Sequence, residues 1–419
     1  MSVGSPAIEL PRHGRPSGGL WEEMDAARES DVAWHSGRVA ALVYLPGDDV
    51  AQVAREAYLR FFSENGLSPR AFPSLGRFER EVVAMTAALL HGDDQTVGNI
   101  TSGGTESIVL GLKIARDKAR VDQPHITQPQ IVVPETAHPA FNKGAHLLDM
   151  DVVRVPVGPD FRVNAADIAA ALTDNTVLIA GSAPNYPYGM VDPIPEMAAL
   201  AAERGISFHV DACVGGFFLP FLERLGQQII PYDFRVPGVT TISADLHKYG
   251  FTARGASTIL CRNDEIGQYR ITTFTDWPAG TYSTPTMAGS RPGGAIASAW
   301  AVMHYLGEDG YTRLTAQAME ATRRLIDGVT EIPGFEIYGE PDTAVLAFGS
   351  PDYDMAAVAT EMERRGWFVH IQRYPPGIHL MLSPGHAPFI DDYLADLREA
   401  VDLVARGDST SDGREAVYG

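Results

Sequence analysis

Short apolar runs alternate with longer amphipathic segments through the middle of the 419-residue chain. The runs are rich in β-branched residues, which is typical of buried strands. The segments between them carry apolar residues at helical spacing. This alternation predicts an α/β fold, with a mostly parallel sheet covered by helices on both faces. The predicted strands are 130–133, 151–155, 176–181 and 207–211, and the predicted helices are 137–148, 164–172 and 193–203.

The pattern is more helical on both sides of this central region. Residues 21–62 are predicted to be helical with a break at Pro46 and Gly47, and another helix covers 77–91. Beyond the centre, a helix that ends near Tyr305 is followed by a second one at 310–331.

The character of the chain changes again at residue 334. Short apolar strands surround and alternate with helices at 355–365 and 388–405, which indicates a smaller α+β domain. We therefore divide the chain into a flexible tail (1–20), an N-terminal helical segment (21–75), a large domain (76–308), a small domain (309–406) and a second flexible tail (407–419).

A glycine pair marks the start of one predicted helix. Gly103 and Gly104 permit tight backbone geometry, and Thr105 is suited to cap a helix that continues to about Arg120. Free backbone N–H groups at such a helix start, together with nearby hydroxyls, can bind an anion. A plain glycine-containing helix cap accounts for the same residues, so both interpretations stay open here.

Residues 239–255 hold the main candidate for covalent chemistry. A β-branched run ends at Ser243, and the polar cluster after it contains His247 and Lys248. The chain has 33 Lys and Arg residues, of which only four are lysines. Arginine keeps its proton in proteins, whereas a desolvated lysine can lose it. Lys248 therefore suits an amine that forms a Schiff base with a carbonyl or with pyridoxal phosphate, and an ordinary loop lysine is the alternative.

The rule that ligands bind at the carboxyl ends of parallel strands selects further residues. His138, Tyr186 and Asp211 each follow a predicted strand or open the next helix, so we expect them on one rim with Lys248. A carboxylate buried at a strand end needs a cationic partner, and a protonated pyridine nitrogen would serve. Plainer interpretations are a helix cap or ion pair for Asp211 and a satisfied core histidine for His138.

Charge and composition narrow the possible partners. A formal net charge of −20 argues against nucleic acid or an anionic membrane as a partner, because both bind basic surfaces. No apolar run reaches the roughly 18 residues that span a bilayer, and the N-terminus lacks an apolar signal core, so we expect a cytoplasmic protein. The two cysteines, Cys213 and Cys261, lack the clustering of a metal site and are expected to be buried.

Several motifs occur together in the order and spacing of a known group of enzymes. They are Thr101-Ser-Gly-Gly-Thr-Glu-Ser107, His209-Val-Asp-Ala-Cys213, Ser243-Ala-Asp-Leu-His-Lys-Tyr-Gly250 and Gly289-Ser-Arg-Pro-Gly-Gly294. The chain thereby resembles the group II decarboxylase superfamily of fold type I pyridoxal-phosphate enzymes, and within it the sphingosine-1-phosphate lyases. The resemblance covers roughly residues 34–406 and implies a large domain with a mostly parallel seven-stranded sheet plus a small C-terminal domain.

The resemblance also implies roles for individual residues. Lys248 would hold pyridoxal 5'-phosphate covalently, Asp211 would keep the pyridine nitrogen protonated, and His138 would stack on the ring. Together with His247, these form the expected catalytic set. Ser290 would reach the cofactor phosphate from a partner subunit, because the active sites of this family are shared within a homodimer. The remaining phosphate ligands would be Gly103, Gly104, Thr105, Ser243 and His247.

The substrate end of the site departs from the family. Tyr44, Asn65 and Tyr186 match residues that hold the substrate phosphate in the lyases, and Arg254 stands in place of a lysine. Arginine can bind a phosphate or a carboxylate in bidentate fashion, so anion binding is kept. Ser68, however, stands where the family has a histidine. The implied substrate is a small amine with an anionic group.

Three functions remain open from sequence alone. The first is a lyase that cleaves a 2-amino-3-hydroxy substrate by retro-aldol chemistry to an aldehyde and an amine. The second is an L-amino-acid decarboxylase on the same scaffold, which would need the same lysine, aspartate and histidine. The third is a non-catalytic binding protein, and the intact Lys248 and Asp211 argue against it.

Overall fold

The computed structural model describes residues 8–411 and 413. The rest of both predicted tails, residues 1–7, 412 and 414–419, lies outside the described residues. The helices are α1 (Ser17–Arg28), α2 (Asp48–Arg60), α3 (Pro73–Leu89), α4 (Gly104–Asp122), α5 (Ala140–Leu148), α6 (Ala165–Ala171), α7 (Ile194–Arg204), α8 (Leu219–Arg224), α9 (Asp264–Gly267), α10 (Gly293–Thr330), α11 (Met355–Arg364) and α12 (Ile390–Ala405).

The strands form two main sheets and one hairpin. They are β1 (Val97–Thr101), β2 (Gln130–Pro134), β3 (Asp151–Val155), β4 (Thr176–Ser182), β5 (Ser207–Asp211), β6 (Thr241–Ala244), β7 (Ser257–Cys261), β8 (Thr272–Phe274), β9 (Tyr282–Thr284), β10 (Glu336–Ile337), β11 (Val345–Gly349), β12 (His370–Gln372) and β13 (Gly377–Met381).

The larger sheet has seven strands in the order β1-β7-β6-β5-β4-β2-β3. Strand β7 runs antiparallel to β1 and β6, and the other neighbouring pairs are parallel. Central strands β4 and β5 are buried along their whole length, as expected for a parallel sheet covered on both faces. The predicted α/β fold with a mostly parallel seven-stranded sheet is confirmed.

The smaller sheet is four-stranded and antiparallel, in the order β10-β11-β13-β12. Helices α11 and α12 pack beside it, and the 38-residue α10 connects it to the large sheet. Gly307 interrupts α10 with a φ of 53° and a ψ of −172°, where the sequence predicts two separate helices. The domain boundary that we propose between residues 308 and 309 lies beside this break.

The helical prediction for 21–62 has its break at Pro46 and Gly47, just before α2, but it is wrong for most of the segment between α1 and that break. Val39 there forms a parallel bridge with Phe368, and the carbonyl of Ala40 accepts a hydrogen bond from the Met381 N–H at 2.7 Å. The apolar segment therefore uses its backbone groups to pair with the small domain, which competes with helix formation. At the other end, α1 begins at Ser17, inside the tail predicted for 1–20.

Strands β8 and β9 form a two-stranded antiparallel hairpin. It exposes the side chains of Phe274, Trp277 and Tyr282. Strand β1 has no counterpart among the strands predicted from the sequence. Among residues 8–411, no helix is both long and apolar enough to cross a bilayer.

Candidate active site

A cavity of about 390 Å³ lies at the carboxyl ends of β4 and β5 and beside the start of α4. We call it the central cavity. Tyr186 lines it, together with seven of the nine residues predicted to bind the cofactor. The other two, Ser243 and Ser290, do not line it. The seven are Gly103, Gly104, Thr105, His138, Asp211, His247 and Lys248.

The amine of Lys248 is paired with a carboxylate that the sequence analysis did not single out. Lys248 Nζ lies 3.0 Å from Asp245 Oδ2, and Asp245 is buried. Burial disfavours the ammonium form, but Asp245, Cys213, Tyr44 and Asp211 together outweigh it and raise the pKa of Lys248 well above its usual value, with Asp245 contributing most among them. Burial alone would raise the pKa of Asp245, but the charge of Lys248 and hydrogen bonds from Ser257 and Lys248 contribute to a net lowering. Lys248 is thus held as an ammonium ion, whereas the sequence analysis expects desolvation to favour the neutral amine.

Asp211 lies at the end of β5 with its carboxylate held by two donors. Its Oδ1 accepts the backbone N–H of Cys213 at 3.1 Å and the hydroxyl of Ser243 at 3.3 Å. Ser243 is fully buried beneath Asp211. The serine therefore contacts the carboxylate rather than the wall of the cavity.

A buried polar chain continues behind Ser243. His209 Nε2 lies 3.2 Å from Ser243 Oγ, and His209 Nδ1 lies 2.9 Å from Thr241 Oγ1. Burial lowers the pKa of His209 to about 4, so the ring is neutral. Since Ser243 donates to Asp211, it accepts from His209 Nε2–H, and Nδ1 then accepts from Thr241. One consistent hydrogen-bond direction runs from Thr241 to Asp211.

The wall formed by the start of α4 fits an anion. Gly103 is the residue before the helix, and no side chain caps the backbone N–H groups of the first turn. A Cβ atom on Gly104 would lie 2.7 Å from Cys213 Sγ and 2.9 Å from Asp245 Oδ2, so this close approach requires glycine. Glu106 fixes the turn by accepting hydrogen bonds from the backbone N–H of Ser102 at 2.7 Å and from its hydroxyl at 2.6 Å.

Two histidines flank the cavity in neutral form. His138 Nδ1 accepts the backbone N–H of Ala140 at 3.1 Å, and His247 Nδ1 accepts that of Ala256 at 3.1 Å. Burial lowers the pKa of both rings. Tyr186 meets His138 edge-on, with ring centroids 6.5 Å apart. A neutral imidazole offers an uncharged face for stacking, which suits the role expected of His138.

The predicted substrate-binding residues fall into three places. Tyr186 lines the central cavity, whereas Tyr44 and Arg254 line a separate cavity of about 680 Å³. The guanidinium carbon of Arg254 lies 5.5 Å from the centre of the Tyr44 ring. Arg254 Nη1 donates to the carbonyl of His247 at 3.1 Å, which connects this pair to the edge of the central cavity.

Asn65 and Ser68 belong to a loop away from both cavities. Asn65 Nδ2 donates to Ser290 Oγ at 3.0 Å, and Asn65 Oδ1 accepts the backbone N–H of Arg291 at 3.2 Å. A single chain therefore does not bring all five predicted substrate residues together. The loop of Asn65 and Ser68 contacts the loop of Ser290, and all three residues lie outside the central cavity.

Comparison with known proteins identifies the relatives of this chain. The model of the pyridoxal-dependent decarboxylase conserved domain matches residues 31–350. The sphingosine-1-phosphate lyase of Arabidopsis thaliana is 43% identical over 407 residues, which cover 95% of this chain and 74% of that protein. The solved sphingosine-1-phosphate lyase of Burkholderia pseudomallei K96243 superposes with a TM-score of 0.91 at 37% identity, over 97% of this chain and 95% of that one. The fold is shared with the glutamate decarboxylase of Lactobacillus brevis, which superposes with a TM-score of 0.82 at 18% identity. The match covers 99% of this chain and 97% of that one.

Proposed function

Because this chain belongs to the sphingosine-1-phosphate lyase branch of the pyridoxal-dependent decarboxylase family, we propose that its substrate is a phosphorylated or otherwise anionic 2-amino-3-hydroxy compound. The protein is a pyridoxal-phosphate-dependent carbon–carbon lyase. The hydroxyl of the substrate loses its proton and the bond between the two substituted carbons breaks. The products are an aldehyde and, once the amine-bearing carbon has gained a proton, an amine.

One observation carries the proposal: Lys248, Asp211 and the open start of α4 line the same cavity. These groups fit pyridoxal phosphate, since they offer an amine, a carboxylate for the ring nitrogen and backbone donors for the phosphate. When bound, the cofactor supplies an electron-accepting ring. We assign the covalent link to Lys248, the ring nitrogen to Asp211 and the ring face to His138. Gly103, Gly104, Thr105 and His247 would hold the phosphate.

We assign Ser243 a different role from the one implied by the family resemblance. Its hydroxyl donates to Asp211 and accepts from His209, so it orients the carboxylate. Ser243, His209 and Thr241 are then positioning residues that act through Asp211. The carboxylate of Asp211 would keep the ring nitrogen protonated.

Asp245 controls the proton on Lys248, and replacing it tests this role. In Asp245→Asn the negative charge is gone while burial still disfavours the ammonium, so the pKa of Lys248 falls. Attachment of the cofactor requires the neutral amine. The pH midpoint for attachment to the apoprotein, followed by absorbance, is therefore expected to move to lower pH.

The exposed Asp94→Asn substitution is the matched control, since it removes the same charge far from Lys248. Its midpoint is expected to equal that of the unaltered protein. An unchanged midpoint in Asp245→Asn, with attachment still complete, would show that Asp245 does not set the protonation of Lys248.

We further propose that two chains share their active sites in a homodimer. Ser290 and Asn65 are bonded to each other outside the central cavity of their own chain, as expected of residues that serve a neighbouring site. The exposed Phe274 and Trp277 of the β8–β9 hairpin give such a partner an apolar surface to cover. In the shared site, Tyr44, Asn65, Ser68, Tyr186 and Arg254 would surround the substrate.

Product analysis separates the lyase from a decarboxylase. We expect the purified holoenzyme, given phosphorylated 2-amino-3-hydroxy compounds and a panel of L-amino acids, to release aldehyde from the first group and no carbon dioxide from the second. Both products are measured in the same reactions. Carbon dioxide without aldehyde would replace the lyase assignment with a decarboxylase, and neither product from the full panel would contradict both.

A further inference from the structure

A second cavity of about 300 Å³ adjoins the central cavity, and His138 and Tyr186 line both. We call it the side pocket. It lies between the carboxyl ends of β2 and β3 and one face of the small sheet. His370 pairs with His379 across β12 and β13, and Gln372 lies two residues further along the same strand face. The ring of Tyr186 stacks on His379 at 4.3 Å, which joins the two sheets at the pocket.

Three residues that line the side pocket carry buried polar atoms without a hydrogen-bond partner anywhere in the described ranges. The atoms are Thr136 Oγ1, Gln372 Nε2 and His379 Nδ1. Thr136 is 5% exposed and His379 is 3% exposed, so bulk water does not compensate them. Leaving such groups unpaired is costly, which indicates that they are built to meet a ligand.

The hydrogen-bond donors and acceptors of the pocket determine which complementary groups the ligand must carry. His379 Nε2 lies 2.8 Å from the carbonyl of Tyr186 and must carry the proton, so Nδ1 is an acceptor. Gln372 Nε2 is a donor, and the hydroxyl of Thr136 can act either way. A donor beside acceptors matches a hydroxyl group, which both gives and receives hydrogen bonds.

The charges around the pocket disfavour an anion. Burial lowers the pKa of His379 to about 3 and also lowers that of His370, so both rings are neutral. The guanidinium of Arg154 is engaged by the side chain of Asn142 and by the carbonyls of Glu135 and Ala137, at 2.7 and 2.9 Å for the two carbonyls. Glu135, which also lines the pocket, is an acidic residue that would further disfavour an anion.

We propose that the side pocket binds an uncharged, hydroxyl-bearing part of the substrate, in the tail that leaves with the aldehyde. The proposal rests on the function proposed above. The anionic end is assigned to Arg254, beside His247, whereas the side pocket adjoins the central cavity at His138 and Tyr186. Apolar wall residues such as Pro187 and Ile371 would contact the carbon chain around the hydroxyl.

Two substrates of equal length test the proposal. Both are 2-amino-3-hydroxy alkyl phosphates, and one carries an additional hydroxyl on carbon 4, the tail carbon attached to the hydroxyl-bearing carbon 3. The holoenzyme is expected to prefer the hydroxylated substrate in kcat/KM by about tenfold or more, the factor that one satisfied buried hydrogen bond contributes. In Gln372→Leu, and separately in the near-isosteric Thr136→Val, this preference is expected to fall by about tenfold.

The control is Gln317→Leu, which makes the same change at an exposed position on α10. It is expected to keep the full preference. Cofactor absorbance and the melting temperature show that each variant is folded and loaded. Because the readout is a ratio for two substrates, a general loss of stability or turnover cancels.

Each other outcome is decisive. Equal kcat/KM for the two substrates, or a Gln372→Leu variant that lowers both alike, overturns the side-pocket proposal and leaves the lyase function standing. A preference for a carboxylate over a hydroxyl at the same tail carbon also overturns it. Failure to cleave either phosphate overturns a phosphorylated substrate, and with it the assignment of the side pocket to the tail of that substrate.

Discussion

Lys248→Ala protein is expected to lose both the yellow absorbance of the covalently attached cofactor and lyase turnover. Of the four lysines in the chain, only Lys248 lines the central cavity. Its amine would also be free to move protons once substrate is bound. A positioned acid–base group contributes roughly 10²- to 10⁴-fold to the rate. We therefore expect kcat to fall by about 10³-fold or more.

Borohydride treatment supplies a second measurement that does not depend on turnover. Reduction of the unaltered holoenzyme should fix the cofactor on the peptide that contains Lys248, as located by mass spectrometry. Lys118→Ala is the control, because Lys118 forms a surface ion pair with Asp122 on α4 and should leave absorbance and activity unchanged. If Lys248→Ala protein kept the attached cofactor, the central assignment would be wrong.

Much of the fold was predictable because the central strands are buried on both faces. Strands 176–182 and 207–211 are consequently short apolar runs that stand out from the amphipathic helices between them. Once these strands are assigned, the rule for the carboxyl ends of parallel strands brings Asp211 and Tyr186 to one cavity. The structure has both residues on that cavity, together with Lys248.

The side-chain interactions that the sequence did not predict depend on the face of the sheet to which each side chain points. His209 pairs with Thr241, and Asp211 pairs with Ser243, across neighbouring strands β5 and β6. The period of two along each strand puts these four polar side chains on one face, so the motif spacing contained the signal once the strand register was known. Asp245 is different, because its pairing with Lys248 arises inside a turn that is held by tertiary burial.

Two other regions depend on contacts that no local pattern reveals. The apolar segment around Val39 has the composition of a helix or a strand, and only its pairing with Phe368 of the small domain decides between them. The predicted substrate-binding residues Asn65 and Tyr44 come from separate loops, and in the proposed dimer their roles would depend on how two chains meet. Sequence identifies such residues by resemblance alone.

Asp211→Asn is expected to cause the second large loss. The substitution preserves the size of the side chain but removes the negative charge that the ring nitrogen would meet. Removing one partner of a buried ion pair costs about 3–5 kcal/mol, equivalent to roughly 10²- to 10⁴-fold. We expect losses of that order in turnover and a weaker affinity for the cofactor, measured by titrating the apoprotein with pyridoxal phosphate.

A graded series distinguishes this charge effect from a general disturbance of β5. Ser243→Ala removes the hydrogen bond that the serine hydroxyl donates to the Asp211 carboxylate and is expected to reduce turnover by about tenfold. Asp174→Asn, an exposed change just before β4, should have no effect. The losses in turnover and in cofactor affinity are therefore expected to be largest in Asp211→Asn, smaller in Ser243→Ala and absent in Asp174→Asn. Wild-type values in Asp211→Asn would contradict its role at the ring nitrogen, whereas wild-type values in Ser243→Ala alone would limit the role to Asp211 itself.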